Sequence, residues 1–192
     1  MLFRSKVLDL AAEMEGHADN VAPALLGGLV VSTIEEGKVF AHRINLGMNS
    51  DFPIHLTVVL PDFHLSTKQA RDVLPNQVSM KDAVQNISRA VMVTEAFRSG
   101  DLDLLGKAMT DRLHQPYRLS LIPGGQAAMD AAKKAGAAGA VLSGAGPGII
   151  AFSAKRDQAI GEAMRGTFEE AGLEARIFQL RMSPHGAEAQ IR

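Results

Sequence analysis

The 192-residue sequence contains no cysteine and no tryptophan. The absence of cysteine excludes disulfide bonds, thiolate metal ligands and cysteine nucleophiles, and it fits a reducing compartment. With no tryptophan and only 5% aromatic residues, the chain gives no sign of a platform on which nucleic-acid bases could stack.

Charge of one sign and long apolar runs are also scarce. The formal net charge is -1, and acidic and basic residues are interspersed. This pattern offers no basic field for nucleic acid and no polybasic stripe for anionic membranes. The longest apolar stretches, 22–31 and 139–152, contain glycine and are shorter than the roughly 20 residues of a spanning helix. We therefore expect neither nucleic-acid nor membrane partners, and a cytoplasmic protein.

The first quarter of the chain predicts a helix and a hairpin. Apolar residues recur at helical spacing from Val7 to about Glu15, and Gly16 ends the pattern. Two apolar stretches then flank Glu-Glu-Gly-Lys at 35–38, which indicates a β-hairpin. Because these elements cannot bury both faces of their own sheet, we expect residues 1–53 to be the remnant of a lobe. The helical pattern starts without a cap, so we also expect Met1–Ser5 to replace a missing upstream part.

From Ile54 onward, strand and helix patterns alternate. The predicted elements are strands at 54–60, 138–142, 149–153 and 174–181, and helices at 66–74, 79–99, 101–109, 123–135 and 157–171. The order β, helices, β, β, α, β is that of the split βαβ, or ferredoxin-like, arrangement. The fold class is thus predicted to be α+β, with residues 54–192 as its second lobe.

A polar loop follows the first helix in the run Glu-Gly-His-Ala-Asp-Asn-Val-Ala-Pro-Ala-Leu-Leu-Gly-Gly at 15–28. It places His17, Asp19 and Asn20 between a helix end and a predicted buried strand, so that an imidazole and an amide project from a rigidly held loop. Two interpretations stay open. These side chains bind a ligand, or Asp19 or Asn20 forms a turn and His17 caps the helix.

A second motif, Leu-Ser-Gly-Ala-Gly-Pro-Gly at 142–148, connects two predicted strands. Its glycines let backbone N–H groups approach an anion closely. A tight hairpin that needs positive φ would use the same residues, so the motif alone does not decide between the two.

Several segments together resemble the homoserine kinases of the GHMP kinase superfamily. The run at 15–28 is similar to the family's HPDNV(A)-x-x-LGG signature, with Ala18 in place of proline. Segments 60–61, 66–75, 111–118, 122–124 and 143–147 follow in the family's order, so the resemblance extends from Val7 to Arg181. It implies a GHMP kinase-like fold with a ferredoxin-like C-terminal lobe and a remnant of the N-terminal, ribosomal protein S5 domain 2-like lobe.

The resemblance also implies an activity, the ATP- and Mg2+-dependent phosphorylation of L-homoserine in threonine biosynthesis. The family's main phosphate loop, of the type P-x-x-x-G-L-G-S-S-A, does not occur in the sequence, and neither does a Walker A pattern. Without such a loop the γ-phosphate lacks a cradle at a helix N-terminus. We therefore expect the chain by itself to have little or no kinase activity.

Four side chains match residues that hold the amino acid in the family. Arg71 and Arg118 would bind the carboxylate, a task that suits a planar, bidentate guanidinium. His17 and Asn20 would lie at the homoserine end of the site. On this view Asn20, Arg71 and Arg118 form the catalytic set, although an isolated helix arginine is usually a surface charge.

The nucleotide side of the implied site involves the glycine turn and one carboxylate. Gly144, Ala145 and Gly146 match the third GHMP motif, which packs beside the phosphate loop and the substrate. Asp9 matches a glutamate that ligates magnesium, but aspartate is one methylene shorter, so the contact could pass through water. A solvated helix face formed by Asp9 and Glu13 is the alternative.

Other functions remain compatible with parts of this pattern. Another GHMP kinase, acting on mevalonate, a sugar or shikimate, would share the fold and the glycine turn. A non-catalytic module that binds amino acids or forms oligomers is the alternative from another class. We also consider a homodimer, since an exposed sheet edge is prone to pairing.

Overall fold

A computed structural model describes residues 2–46 and 54–188 of the chain. The chain divides into two compact units, with the divisions after residues 49 and 181. The first unit combines the N-terminal residues with those that follow 181, and the second is continuous. No helix within the described residues has the length and apolar character needed to cross a membrane.

The first unit contains two helices and a hairpin. Its elements are α1 (Leu2–Glu15), α2 (Val21–Leu26), β1 (Val30–Glu35) and β2 (Lys38–Arg43). The strands are antiparallel around a tight turn in which Glu36 and Gly37 both have positive φ, which confirms the predicted hairpin. The prediction of a buried strand directly after the polar loop is wrong, because residues 21–26 are helical. Pro23 suits the first turn of that helix, and Gly27 ends it with φ 73°.

Residues 182–188 complete the first unit, whereas the sequence prediction placed them in the second lobe. Gly28 N–H donates to the Ser183 carbonyl at 2.8 Å, and Ala187 N–H donates to the Ala24 carbonyl at 2.9 Å. The Arg43 guanidinium donates to the Pro184 carbonyl at 2.9 Å. The segment therefore adds backbone partners to the first unit. The predicted boundary at 53/54 adjoins residues 47–53, which lie outside the described residues.

The second unit is built on a four-stranded antiparallel sheet. Its strands are β3 (His55–Pro61), β4 (Gly139–Leu142), β5 (Ile149–Ser153) and β6 (Ala175–Leu180). They lie in the order β4-β5-β3-β6, and every neighbouring pair is antiparallel. This order confirms the predicted split βαβ arrangement.

Six helices belong to the same unit: α3 (Thr67–Asp72), α4 (Met80–Ser99), α5 (Leu102–Ala108), α6 (Gln115–Leu119), α7 (Gly125–Lys134) and α8 (Gln158–Glu170). All but α6 were predicted. The predicted capping box at the start of α3 is present, with Ser66 and Gln69 bonding each other's backbone N–H groups. Ser79 caps α4 in a similar way through the N–H of Asp82.

The helices cover both faces of the sheet. On one face, α7 and α8 bury a core that includes Ile149, Met164 and Phe168. On the other face, α4 and α5 pack against the strand residues whose side chains point away from the first core. There the Phe97 and Phe152 rings meet edge to face, with their centroids 5.5 Å apart. Side chains alternate across a strand, so β5 supplies both cores in turn.

A turn anchored by Asp111 leads into α6. The carboxylate accepts backbone N–H bonds from Leu113, His114 and Gln115, and side-chain bonds from the Asn86 amide at 2.6 Å and the His114 ring at 2.9 Å. Burial alone would raise the pKa of the Asp111 carboxyl, but these hydrogen bonds, that from the His114 ring first, outweigh burial and hold the pKa well below its usual range. The charged carboxylate is therefore part of the fold.

Replacing Gly106 by alanine is expected to destabilise the second unit. A Cβ at this position of α5 would overlap the Ala138 carbonyl oxygen, so the helix and the chain entering β4 would have to separate. We expect a loss of about 2 kcal/mol in the free energy of unfolding, measured with urea. The matched control is Gly166→Ala in α8, where a Cβ meets nothing within 4 Å. This change should stabilise by about 0.5 to 1 kcal/mol, and equal effects of the two changes would contradict the contact.

Asp111→Asn is expected to cost about 2 kcal/mol at pH 7, because an amide cannot accept every bond that the carboxylate accepts. The folded pKa is depressed, so this stabilisation is fully present above the unfolded pKa of about 3.9 and is lost as pH falls toward the folded value. Urea unfolding from pH 7 to pH 2.5 should thus show the difference between wild type and variant shrinking below about pH 4. The exposed Asp62 provides the control Asp62→Asn, and a pH-independent difference for Asp111→Asn would refute the ionic role.

Candidate functional site

The glycine-rich segment between β4 and β5 forms a tight turn. Ser143 N–H donates to the Gly148 carbonyl at 2.8 Å, and Gly144 and Gly146 have positive φ. At Gly146, a Cβ would come 2.8 Å from the Ile122 side chain, so close packing also requires glycine there. Among the described residues, the N–H groups of Gly144 and Ala145 meet no acceptor. The hairpin interpretation is correct for the backbone, and the turn still has N–H groups to offer an anion.

Arg118 joins this turn to α3. Its Nε–H donates to the Ala70 carbonyl at 3.1 Å, and its Nη1 donates to the Gly144 carbonyl at 3.4 Å. The side chain is half-buried at the end of α6. Of the five N–H donors of a guanidinium these bonds use two, so three remain for a ligand.

Arg71 lies next to the carbonyl that Arg118 binds. Its backbone is fixed, because the capping box starts α3 and the neighbouring Ala70 is fully buried. Its guanidinium is exposed and has no hydrogen-bond or ion-pair partner in the described part of the chain. The structure therefore brings together Arg118, the backbone that carries Arg71 and the Gly144 turn. That these groups form one substrate site stays a prediction.

Gln115 holds α6 against the sheet at the same place. Its side-chain oxygen accepts the N–H of Leu142 at 2.9 Å in a buried position, one residue before the glycine turn begins. On the other side, the side-chain amide oxygen of Asn86 accepts the backbone N–H of Arg112 at 2.9 Å. These contacts fix Arg112 and Gln115, which lie on the segment that leads into α6 and so positions Arg118.

Three further predicted residues belong to the first unit. His17 is half-buried, and its Nδ1 lies 2.5 Å from an oxygen of the exposed Asp19 carboxylate. Asn20 is the N-cap residue of α2, but its exposed side chain makes no capping bond. Asp19 and Asn20 lie in the turn that leads into α2, which is the position that the turn interpretation gave them.

Asp9 has a structural contact that the sequence did not reveal. One carboxylate oxygen accepts the N–H of Val39 at 2.8 Å and so ties α1 to β2. Within the described residues, no group of three or more histidine or acidic side chains is arranged to hold a metal. The remaining Asp9 oxygen suits Mg2+ only as one ligand among water and phosphate oxygens, the way this ion is commonly bound.

The helix around Asn86 and the segment 111–118 were recognised as part of the resemblance, but sequence interpretation gave no supporting role to Asn86, Asp111 and Gln115. The signal for Asp111 was available, because an acidic residue shortly before Pro116 is typical of a helix start. The bonds from Gln115 to Leu142 and from Asn86 to Asp111 join residues that are 27 and 25 positions apart, so they depend on tertiary packing.

Comparisons with known proteins agree with this geometry. The family model described as GHMP kinases C terminal matches residues 93–175. The homoserine kinase of Moorella thermoacetica is 46% identical over 184 residues, and that of Clostridium beijerinckii is 40% identical over 182 residues. Each alignment covers 95% of this chain and 60% of the relative, so the chain spans about 60% of the length of these relatives.

Solved structures give the same picture. The homoserine kinase from Cytophaga hutchinsonii superposes with a TM-score of 0.87 at 30% identity, covering 95% of this chain and 59% of that protein. A mevalonate kinase from L. major, with a TM-score of 0.62 and 24% identity over 88% of this chain and 53% of its own, shares the fold. The chain is therefore similar to homoserine kinases over nearly its whole length, and its residues 93–175 match the model of the C-terminal domain of GHMP kinases.

Proposed function

We propose that the whole protein transfers the γ-phosphoryl group of ATP to the side-chain hydroxyl of L-homoserine and yields O-phospho-L-homoserine for threonine biosynthesis. The observation that carries this proposal is the junction of Arg118 with the Ala70 and Gly144 carbonyls, in a chain whose relatives are homoserine kinases. We assign part of the substrate site to the described residues. The rest of the site would correspond to the part of the relatives that this chain does not cover.

The carboxylate of homoserine is assigned to the two arginines. Arg71 offers a guanidinium that no protein group occupies among the described residues, and Arg118 retains three donors after its two backbone bonds. A guanidinium cation favours a carboxylate over a neutral group, and its planar fork fixes the orientation of the carboxylate. Because Arg118 is held by the fold, it sets the direction in which the substrate points, and Arg71 completes the clamp.

The other assignments follow the homology. His17 and Asn20 would position the amino acid in the whole protein, with the Asp19 carboxylate beside the imidazole orienting it. Gly144, Ala145 and Gly146 would present their backbone to the nucleotide side, where charge builds up during phosphoryl transfer. Such catalysis depends mainly on positioning and charge neutralisation, so rigid placement of these groups is their contribution.

Magnesium and ATP are implied by kinase homology. The free oxygen of Asp9 is the group in this chain that we assign to magnesium, directly or through water. When bound, the ion would neutralise phosphate charge. The sequence has no phosphate loop of the family's type, so no contact of the chain with the γ-phosphate is assigned. With a net charge of -1 and no span-length apolar helix among the described residues, we propose a cytoplasmic enzyme without nucleic-acid or membrane partners.

Arg71→Ala is expected to raise the homoserine KM by about 10- to 100-fold, the value of one charge-assisted contact, and to leave the ATP KM nearly unchanged. The assay requires a complete enzyme, obtained by joining this chain to the part of the Moorella kinase that it does not cover. Lys68→Ala is the matched control, since Lys68 is an exposed cation on the same helix. A similar rise for ATP and homoserine would contradict the assignment.

A substrate without the carboxylate sharpens this test. 3-Amino-1-propanol keeps the hydroxyl and amino groups of homoserine, so the wild-type chimaera should use it poorly. The Arg71→Ala penalty should then be much smaller for 3-amino-1-propanol than for homoserine. An equal penalty for the two substrates would show that Arg71 acts through the structure of α3.

A further prediction concerns the kinase activity itself. In a coupled assay of ADP release, this chain alone should show little or no turnover with homoserine, mevalonate or shikimate. The chimaera should turn over homoserine at least about tenfold faster than the other two. All three substrates offer a carboxylate to the arginines, but only homoserine has the amino group that the amino-acid side of the site, assigned to His17 and Asn20, would bind. A preference for mevalonate or shikimate would replace the proposal by another GHMP kinase activity.

A further inference from the structure

A groove of about 360 Å³ runs along helix α3 in the second unit. Its walls come from the loop that follows β3, from α3 itself and from the segment that follows α6. The volume lies within the range of roughly 300 to 1,000 Å³ that is common for small-molecule sites. The groove is therefore large enough for a small organic ligand.

The groove is separate from the carboxylate site that we assign to the two arginines. Gln69, Asp72 and Val73 line it, and their spacing of three and four residues places them on one face of α3. Successive residues of a helix are rotated by about 100°, so Arg71 points away from this face. A ligand in the groove would thus contact the opposite side of the helix that carries Arg71.

Most of the lining is apolar. Phe63, Leu65, Val73 and Leu121 are all half-buried and contribute hydrocarbon surface to the groove. Leu65 also packs against the core formed by α7 and α8, so this wall is held in place by the fold. Apolar walls of this kind favour the hydrocarbon part of a ligand.

The loop that forms one wall is anchored at both ends. Before it, the N–H of Asp62 donates to the Glu174 carbonyl at 2.7 Å. After it, Ser66 and Gln69 form the capping box of α3. Residues 63–65 therefore lie between two fixed points, and the groove exists before any ligand binds. A preformed site loses little conformational freedom on binding.

The charge on the lining is that of one carboxylate without a counterion. The exposed Asp72 has no hydrogen-bond or ion-pair partner among the described residues, although Lys68 lies one turn before it. Asp72 is also the last residue of α3, and the carbonyl groups at this end of a helix favour a positive charge. The described lining contains no lysine or arginine. Asp72 and the helix end therefore both favour a cationic ligand.

We propose that this groove binds a small primary amine in its ammonium form, with the ammonium on the Asp72 carboxylate and an aliphatic or alicyclic body against Phe63, Leu65 and Leu121. The proposal goes beyond the kinase activity and does not depend on it. Amino acids fit less well, because their carboxylate would meet no lysine or arginine in the described lining. A lysine side chain of another protein carries the same ammonium group on a linear stem, and the test separates this source.

Three ring compounds of equal size but different charge test the ligand class. Cyclohexylamine, added to the 15N-labelled chain, should shift the backbone N–H signals of Val73 and Leu121 with a Kd of about 1 mM, as expected for seven non-hydrogen atoms. Cyclohexanol should bind at least about tenfold more weakly, and cyclohexanecarboxylate should not bind. Equal binding of the amine and the alcohol, shifts confined to other regions, or tighter binding of Nα-acetyl-lysine amide than of cyclohexylamine would overturn the proposal.

Substitutions test the two parts of the groove separately. Asp72→Asn should weaken the binding of cyclohexylamine by about tenfold and leave that of cyclohexanol unchanged. The matched control is Asp103→Asn, which removes an exposed carboxylate from the first turn of α5 and should change neither. Leu121→Ala removes part of a wall and should weaken both ligands, while its melting temperature checks the fold. An equal loss of amine binding in Asp72→Asn and Asp103→Asn would refute the site.

Discussion

The second unit depends on one guanidinium that holds two backbone carbonyls. By bonding to Ala70 and Gly144, Arg118 joins a helix and a turn that are 74 residues apart in the sequence. A lysine could not replace it, because an ammonium group does not present two donors in a fixed plane. Arg118 thus contributes to the structure with two donors and can serve a ligand with the remaining three.

This arrangement is stable only if the short helix α6 is itself fixed. Five residues form too short a helix to persist without support. Asp111 supplies this support at the N-terminal end by accepting several N–H bonds, and Gln115 supplies it by accepting the Leu142 N–H. The negative charge of Asp111 is thus stabilised by hydrogen bonds, and no ion pair between Asp111 and Arg118 occurs among the described residues. Asp111 and Gln115 thus make contacts only within the fold, whereas Arg118 keeps donors for the proposed contacts with substrate.

Local sequence signals predicted most elements of the second unit, whereas the residues of the candidate site were assigned through the resemblance to a family and stay a prediction. Alternating strands, capping boxes and glycine turns are properties of neighbouring residues, and the elements around Ser66, Ser79 and Gly144 appear where these signals placed them. Two features were not predicted because they depend on distant residues. Helix α2 ends against backbone from residues 184–186, and Asp9 is bonded to Val39. Which apolar face of α4 is exposed also could not be read from its period, since both faces of that helix carry apolar residues.

The first unit combines N-terminal residues with the residues that follow 181. This affects the order in which the two units can fold. Residues 54–181 are continuous and contain all strands of their sheet, so this unit can fold while the chain is still leaving the ribosome. The first unit must wait for residues 182–188, which bond to Ala24 and Gly28 and are synthesised only after the whole second unit. Until then its hairpin lacks these partners, and the apolar residues Val31 and Phe40, exposed even in the folded chain, stay open to contacts with other proteins.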